Sequence, residues 1–133
     1  MKWIGVVAAV LAVVAGGGTQ ALARAQATSS VSATVKSEPS VERGVLLWTI
    51  KGKVGSPNAA CKAERTVKIE FIYERPPFVK SQTKTAKNGA ISATVRLNGS
   101  ETAEQPQELK LTVPKASAGG VTCKEATKTL ALG

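Results

Sequence analysis

The chain contains no histidine and no aspartate; all nine of its acidic residues are glutamates, and it has only two cysteines, one tyrosine and two phenylalanines. Each shortage removes a class of chemistry. Without histidine there is no Ser-His-Asp machinery and no histidine-built zinc site. Without aspartate, a calcium loop loses its usual donors, since that metal takes about six to eight oxygens on a set spacing. Glu101, Glu104 and Glu108 share one polar loop with Pro106, and Glu70 and Glu74 fall on an outward strand face beside Lys68. Both groups read as solvated charge. No Ser-x-x-Lys on a helical pattern supports serine–lysine catalysis. The sequence therefore predicts no enzyme, no metal site and no cofactor.

The scarcity of cysteine is itself informative, because Cys61 and Cys123 follow a segment with the marks of an export signal. Lys2 precedes an apolar run from Trp3 to Ala15, Gly16 to Gln20 break it, and Ala21-Leu22-Ala23 supplies the small-x-small pattern for cleavage. Ala23-Arg24-Ala25 and Ala25-Gln26-Ala27 also fit that pattern. The run is too short to span a bilayer, which takes about 20 apolar residues. We assign residues 1–23 to a signal peptide, 24–30 to a flexible leader without a packing signal, and 31–133 to one β-sandwich domain. Two thiols in one small exported domain normally pair, so Cys61 and Cys123 are expected to form a structural disulfide. A redox dithiol would sit on a two-residue spacing, and a metal site would need further ligands. Both cysteines lie in loop-like, lysine-rich contexts, which suggests a clip at one edge of the domain.

From residue 31 onward the apolar residues recur at period two, as half-buried strands require. Val31, Ala33 and Val35 make a weak first strand, and Leu46, Trp48, Ile50, Gly52 and Val54 the strongest. Val67, Ile69, Phe71 and Tyr73 follow, then Ile91, Ala93, Val95 and Leu97, then Leu109, Leu111 and Val113, and finally Leu130 and Leu132. Turn-formers separate them: Gly55-Ser56-Pro57-Asn58, Pro76-Pro77, Asn88-Gly89, Asn98-Gly99-Ser100 and Gly119-Gly120. Six to seven such strands predict an all-β fold, a single antiparallel sandwich with one core face and one wet face per sheet. Asn88-Gly89 would usually make a two-residue hairpin turn, but that register puts Lys84 on the apolar face. A five-residue loop from Ala86 to Ala90 instead pairs Thr85 with Ile91, Thr83 with Ala93 and Val79 with Leu97. Burial selects this longer loop.

The layout from Gly52 onward, with Gly52-Lys53-Val54, Ala60-Cys61-Lys62, Arg65-Thr66-Val67-Lys68-Ile69, Asn88-Gly89-Ala90-Ile91, Leu109-Lys110-Leu111 and the late Cys123, resembles small exported bacterial sandwiches. These are the carboxypeptidase-regulatory-like (transthyretin-like) and bacterial Ig-like domains. The chain departs from the family pattern where Ala86 stands for an aspartate and Ile91 for an aromatic. The resemblance implies a fold and an accessory role, and it carries no catalytic residues.

Charge is the remaining functional signal. Lysine and arginine number 18 against the nine glutamates, a formal net charge of +9. An exported cation is drawn to anionic cell-wall polymers, lipid headgroups or acidic polysaccharide, while lysine also protects strand edges and solubility. Candidate binding residues are Lys51, Lys53, Lys68, Lys110 and Lys124. Arg75 and Phe78, flanking Pro76-Pro77, form a rigid loop with an exposed aromatic tip that would suit a protein partner or an inhibitory contact. Nucleic acid is disfavoured by export and by the few aromatics available for base stacking. The expectation is a secreted, non-enzymatic module for anionic envelope polymers, with protein capture by the Arg75–Phe78 loop as the alternative.

Overall fold

Strand β3 (Val45–Gly55) shows how alternation becomes architecture. Trp48, Ile50 and Val54 are buried while Lys51 and Lys53 face water. In the computed structural model, which describes residues 25–100 and 103–132, β3 is the centre of a three-stranded antiparallel sheet. On one side it pairs with β2 (Ser30–Pro39), Val31 opposite Val54 and Val35 opposite Ile50. On the other it pairs with β6 (Ala90–Asn98), Trp48 opposite Val95 and Gly52 opposite Ile91. Gly52 is needed for close approach: a Cβ there would stand 2.1 Å from the Ser32 carbonyl oxygen and 2.7 Å from the Ala33 Cα.

A second antiparallel sheet runs β10-β7-β4-β5, built from β4 (Thr66–Ile72), β5 (Val79–Lys84), β7 (Glu108–Val113) and β10 (Ala126–Ala131). Its apolar face, with Val67, Ile69, Phe71, Leu109, Leu111 and Val113, joins Trp48, Ile50, Val54, Ile91 and Leu97 in one core. Trp48 and Phe71 meet across the sheets edge to face, with centroids 5.7 Å apart and planes at 64°. Full burial of each larger side chain contributes roughly 1.5–3 kcal/mol. The polar faces of both sheets therefore point away from this shared core.

The chain departs from expectation in three places. The Ala86–Ala90 loop forms, closed by Ala86 N donating to the Ala90 carbonyl and Gly89 N to the Ala86 carbonyl, both at 2.9 Å. It does not join a hairpin, however. β5 pairs with β4, Lys84 opposite Thr66 and Val79 opposite Phe71, while β6 lies on β3 in the other sheet. The turn is anchored to β3, because Val54 N donates to the Gly89 carbonyl at 2.8 Å and Gly89 holds φ +91 with Val54 O where a Cβ would be. Thr85 and Ile91 still point inward, so burial selects the face of each strand without selecting its neighbour.

The segment expected as a flexible leader is structured from residue 25. β1 (Ala25–Ala27) pairs in parallel with β9 (Val121–Cys123), which pairs antiparallel with β8 (Ala116–Ala118). This third sheet raises the count to ten strands among the described residues, against the six to seven expected. The signal-peptide assignment and Glu101 lie outside the described residues. Finally, Tyr73 falls just beyond β4, in the connection to β5.

Candidate functional site

The cysteines meet at one end of the two sheets. Asn58 starts a 3-10 turn over Ala59–Cys61, its Oδ1 accepting from Ala60 N at 2.9 Å, and the turn rotates Cys61 inward. Cys123 arrives on β9, and the two sulfurs form a disulfide with Cα atoms 5.4 Å apart. Both residues are fully buried in a small cluster with Ala27, against which Ala118 and Val121 pack. The pair is an end clip, as its sequence context suggested, but one buried under a sheet of its own.

Arg65 is 3% exposed and ties four segments to this clip. Its Nη1 donates to the Cys61 carbonyl at 2.7 Å and to Ser29 Oγ at 3.1 Å. Its Nη2 donates to the carbonyls of Pro114 at 2.8 Å and Lys124 at 3.2 Å. Nε is buried without a partner. Among the described residues no carboxylate pairs with the guanidinium, and burial lowers its pKa from the ordinary value; arginine remains charged there regardless. The backbone of Arg65 is held as firmly: its N donates to Thr85 Oγ1 at 2.8 Å, and Thr85 Oγ1 donates to the Lys62 carbonyl at 2.7 Å. Nothing in the sequence pattern singles out Arg65, because its acceptors are backbone carbonyls brought together only by folding. The preceding residue, Glu64, holds φ +52, a left-handed conformation uncommon for a residue with a Cβ.

The candidate cations do not form one patch. Lys51 and Lys53 project from the outward face of β3, between the hydroxyls of Ser32 and Thr34 on β2 and Ser92 on β6. Lys68 and Lys110 project from the outward face of the other sheet, on the far side of the core. Lys124 is exposed beside the disulfide, its N donating to the Ala27 carbonyl at 2.9 Å. Arg75 is exposed, and its backbone N donates to Glu104 Oε2 at 3.3 Å. Phe78 is half-buried rather than an exposed tip, because the chain is already turning into β5, where Val79 packs on the core.

Two neighbouring depressions mark the outward face of β4. One, of ≈ 370 Å³, lies among Lys68, Glu70, Lys80, Gln82, Lys110 and Thr112. The other, of ≈ 450 Å³, lies between the Glu64–Lys68 and Pro114–Ala118 segments. Lys68 lines both. Among the described residues the one ion pair is Arg96 with Glu42, so Lys51, Lys53, Lys68, Lys80 and Lys110 have no carboxylate partner. Lys80 and Lys115 also belong to this lining; Lys80 was not among the candidate cations and becomes legible only once β5 is placed beside β4. No group of three or more cysteine and glutamate side chains among the described residues is placed to hold a metal ion. Comparison with protein-family models, with curated proteins and with solved structures gives no match.

Proposed function

We propose that this chain is an exported, non-enzymatic β-sandwich module of Ig-like layout that acts outside the cell by associating with anionic envelope polymers. The strand orders support that layout. β2-β3-β6 and β10-β7-β4-β5 follow the A-B-E and G-F-C-C′ arrangement of Ig-like sandwiches, and the chain crosses between the two sheets at β3 to β4, β5 to β6 and β6 to β7, as in a Greek key. This favours the Ig-like over the transthyretin-like form of the resemblance. The disulfide fits an oxidising compartment, and the export pattern of residues 1–23 supplies the route.

The observation that carries the reading is the set of lysines without carboxylate partners on the sheet faces, interleaved with serine and threonine. Such faces attract polyanions at long range and hydrogen-bond their oxygens on contact, and salt weakens the attraction. Retention of the mature chain on anionic cell-wall material is expected to fall steeply as salt rises, with none on an uncharged polymer. Retention indifferent to salt overturns the reading. Protein capture by Arg75–Phe78 keeps one point in its favour, the exposure of Glu74 to Pro77 in a row. Pull-down of an envelope protein lost on Arg75→Ala with Phe78→Ala would move the conclusion to that loop.

A further inference from the structure

The strand register decides which lysines can act together. On the outward face of the four-stranded sheet, Glu70 stands between Lys110 of β7 and Lys80 of β5. One step along β4, Lys68 stands between Thr112 and Gln82. Neighbouring strands lie about 4.8 Å apart and same-face residues about 6.8 Å apart along a strand. Lys110 and Lys80 are therefore about 10 Å apart across Glu70, with Lys68 about 7 Å further along. One carboxylate cannot neutralise three cations so spread, and none of them makes an ion pair with it. Beyond Lys68 the second depression adds Lys115, the rim of Arg65 and one further carboxylate, Glu64. Lys68 lines both depressions, so the two adjoin at its side chain and together make a trough that runs along β4 and past its start.

From this geometry we infer that the trough along β4, with Lys68 at its centre and Lys80, Lys110 and Lys115 around it, is the binding track for a single extended polyanion carrying repeated phosphate or carboxylate groups. The inference rests on the envelope-polymer reading and locates it. A compact anion would meet only one or two cations spaced in this way, whereas a linear chain meets them in succession. Thr112 and Gln82 place neutral hydrogen-bonding groups between the charges, suited to the hydroxyls and ester oxygens of such a backbone. No aromatic ring lines either depression, so stacking on sugar faces contributes nothing and charge must supply the affinity. Lys51 and Lys53 line neither depression and lie on the opposite face.

The test compares two charge-matched variants of the mature chain, Lys68→Glu/Lys110→Glu and Lys51→Glu/Lys53→Glu, for binding to long-chain polyphosphate and to polygalacturonate at low salt. The trough variant is expected to bind about tenfold more weakly or worse, since each cation lost from the track removes one counterion-releasing contact. The opposite-face variant is expected to stay within about threefold of the parent. Binding to polyphosphate alone identifies phosphate as the recognised group, and binding to polygalacturonate alone identifies carboxylate. Equal weakening of the two variants overturns the trough while leaving the polymer reading intact. Failure of the parent chain to bind either polymer overturns both. Should Lys68→Glu/Lys110→Glu lose its fold, Lys68→Gln/Lys110→Gln serves in its place, with an unchanged thermal midpoint as its control.

Discussion

Arg65 donates through Nη1 to the carbonyl of Cys61 at 2.7 Å, so a buried cation stands directly behind the disulfide. The same side chain holds Ser29, Pro114 and Lys124. Truncation to alanine strands those acceptors together, and each hydrogen bond to a charged donor is worth about 1.5–3 kcal/mol. Arg65→Ala is expected to cost at least about 3 kcal/mol in urea unfolding. Arg65→Lys should recover only part of that loss, because a point ammonium lacks the planar fork that reaches four acceptors. Equal stability of the lysine variant and the parent would show that charge alone suffices.

The disulfide closes a loop with a sequence separation of 62. Chain entropy sets its contribution at about 4 kcal/mol at most. Cys61→Ala/Cys123→Ala should unfold at lower urea concentration by up to that amount while keeping its far-ultraviolet β signal, since the main core around Trp48 and Phe71 does not include the bridge. Loss of the β signal in buffer would mean that the two cores do not fold independently.

Tyr73 is the chain's only tyrosine, so absorbance near the phenolate band reads it alone. Its pKa is raised from the ordinary 10.0, first by burial and then by the negative charge of Glu104. Titration should place its midpoint above 10.0, and Glu104→Gln should bring it part of the way back, leaving the burial effect. With the folded phenol holding its proton longer than the unfolded one, stability is full below the ordinary value and declines as pH rises through and beyond it. Tyr73→Phe should flatten that alkaline decline. A Tyr73 midpoint at or below 10.0 contradicts the burial seen here.

Glu64 keeps φ +52 on an exposed turn, a conformation that costs a residue with a Cβ roughly 1–2 kcal/mol. Glycine relieves that strain and gives part of it back through its freer unfolded chain. Glu64→Gly is therefore expected to raise stability by about 0.5–1 kcal/mol, measured by thermal or urea unfolding. A destabilised variant would show that the glutamate side chain itself holds the turn.

The main sheets were legible in the sequence because large apolar residues at period two leave few choices of face. Trp48, Ile50, Ile69, Phe71 and Leu111 all point where alternation puts them. The third sheet was not legible, since Ala25–Ala27, Ala116–Ala118 and Val121–Cys123 are short and built mostly from small side chains without a periodic signal. β10 was half legible: Leu130 marks it, but Lys128 occupies the inward phase opposite Leu111 and remains exposed at the sheet edge. An inward-phase lysine on an edge strand is a known guard against edge-to-edge pairing, and it erases the hydrophobic alternation by which strands are found. For the candidate site, Lys68 and Lys110 were visible as outward residues. That they share a trough, while Lys51 and Lys53 lie on the other side of the core, depends on sheet order, and period-two alternation says nothing about that order.

The parallel ladder of β1 with β9 sets Ala25 beside Val121 and Ala27 beside Cys123, so the covering of the disulfide is shared by opposite ends of the described chain. Such a ladder has a consequence in time. As the chain is synthesised, β1 comes early and then waits for nearly everything else before its partner strand exists. Until β9 has emerged, Cys61 has neither its covalent partner nor its cover, and its thiol stays open to any oxidant or reductant nearby. An accessible Cys61 thus reports an unfinished chain, and its disappearance marks completion.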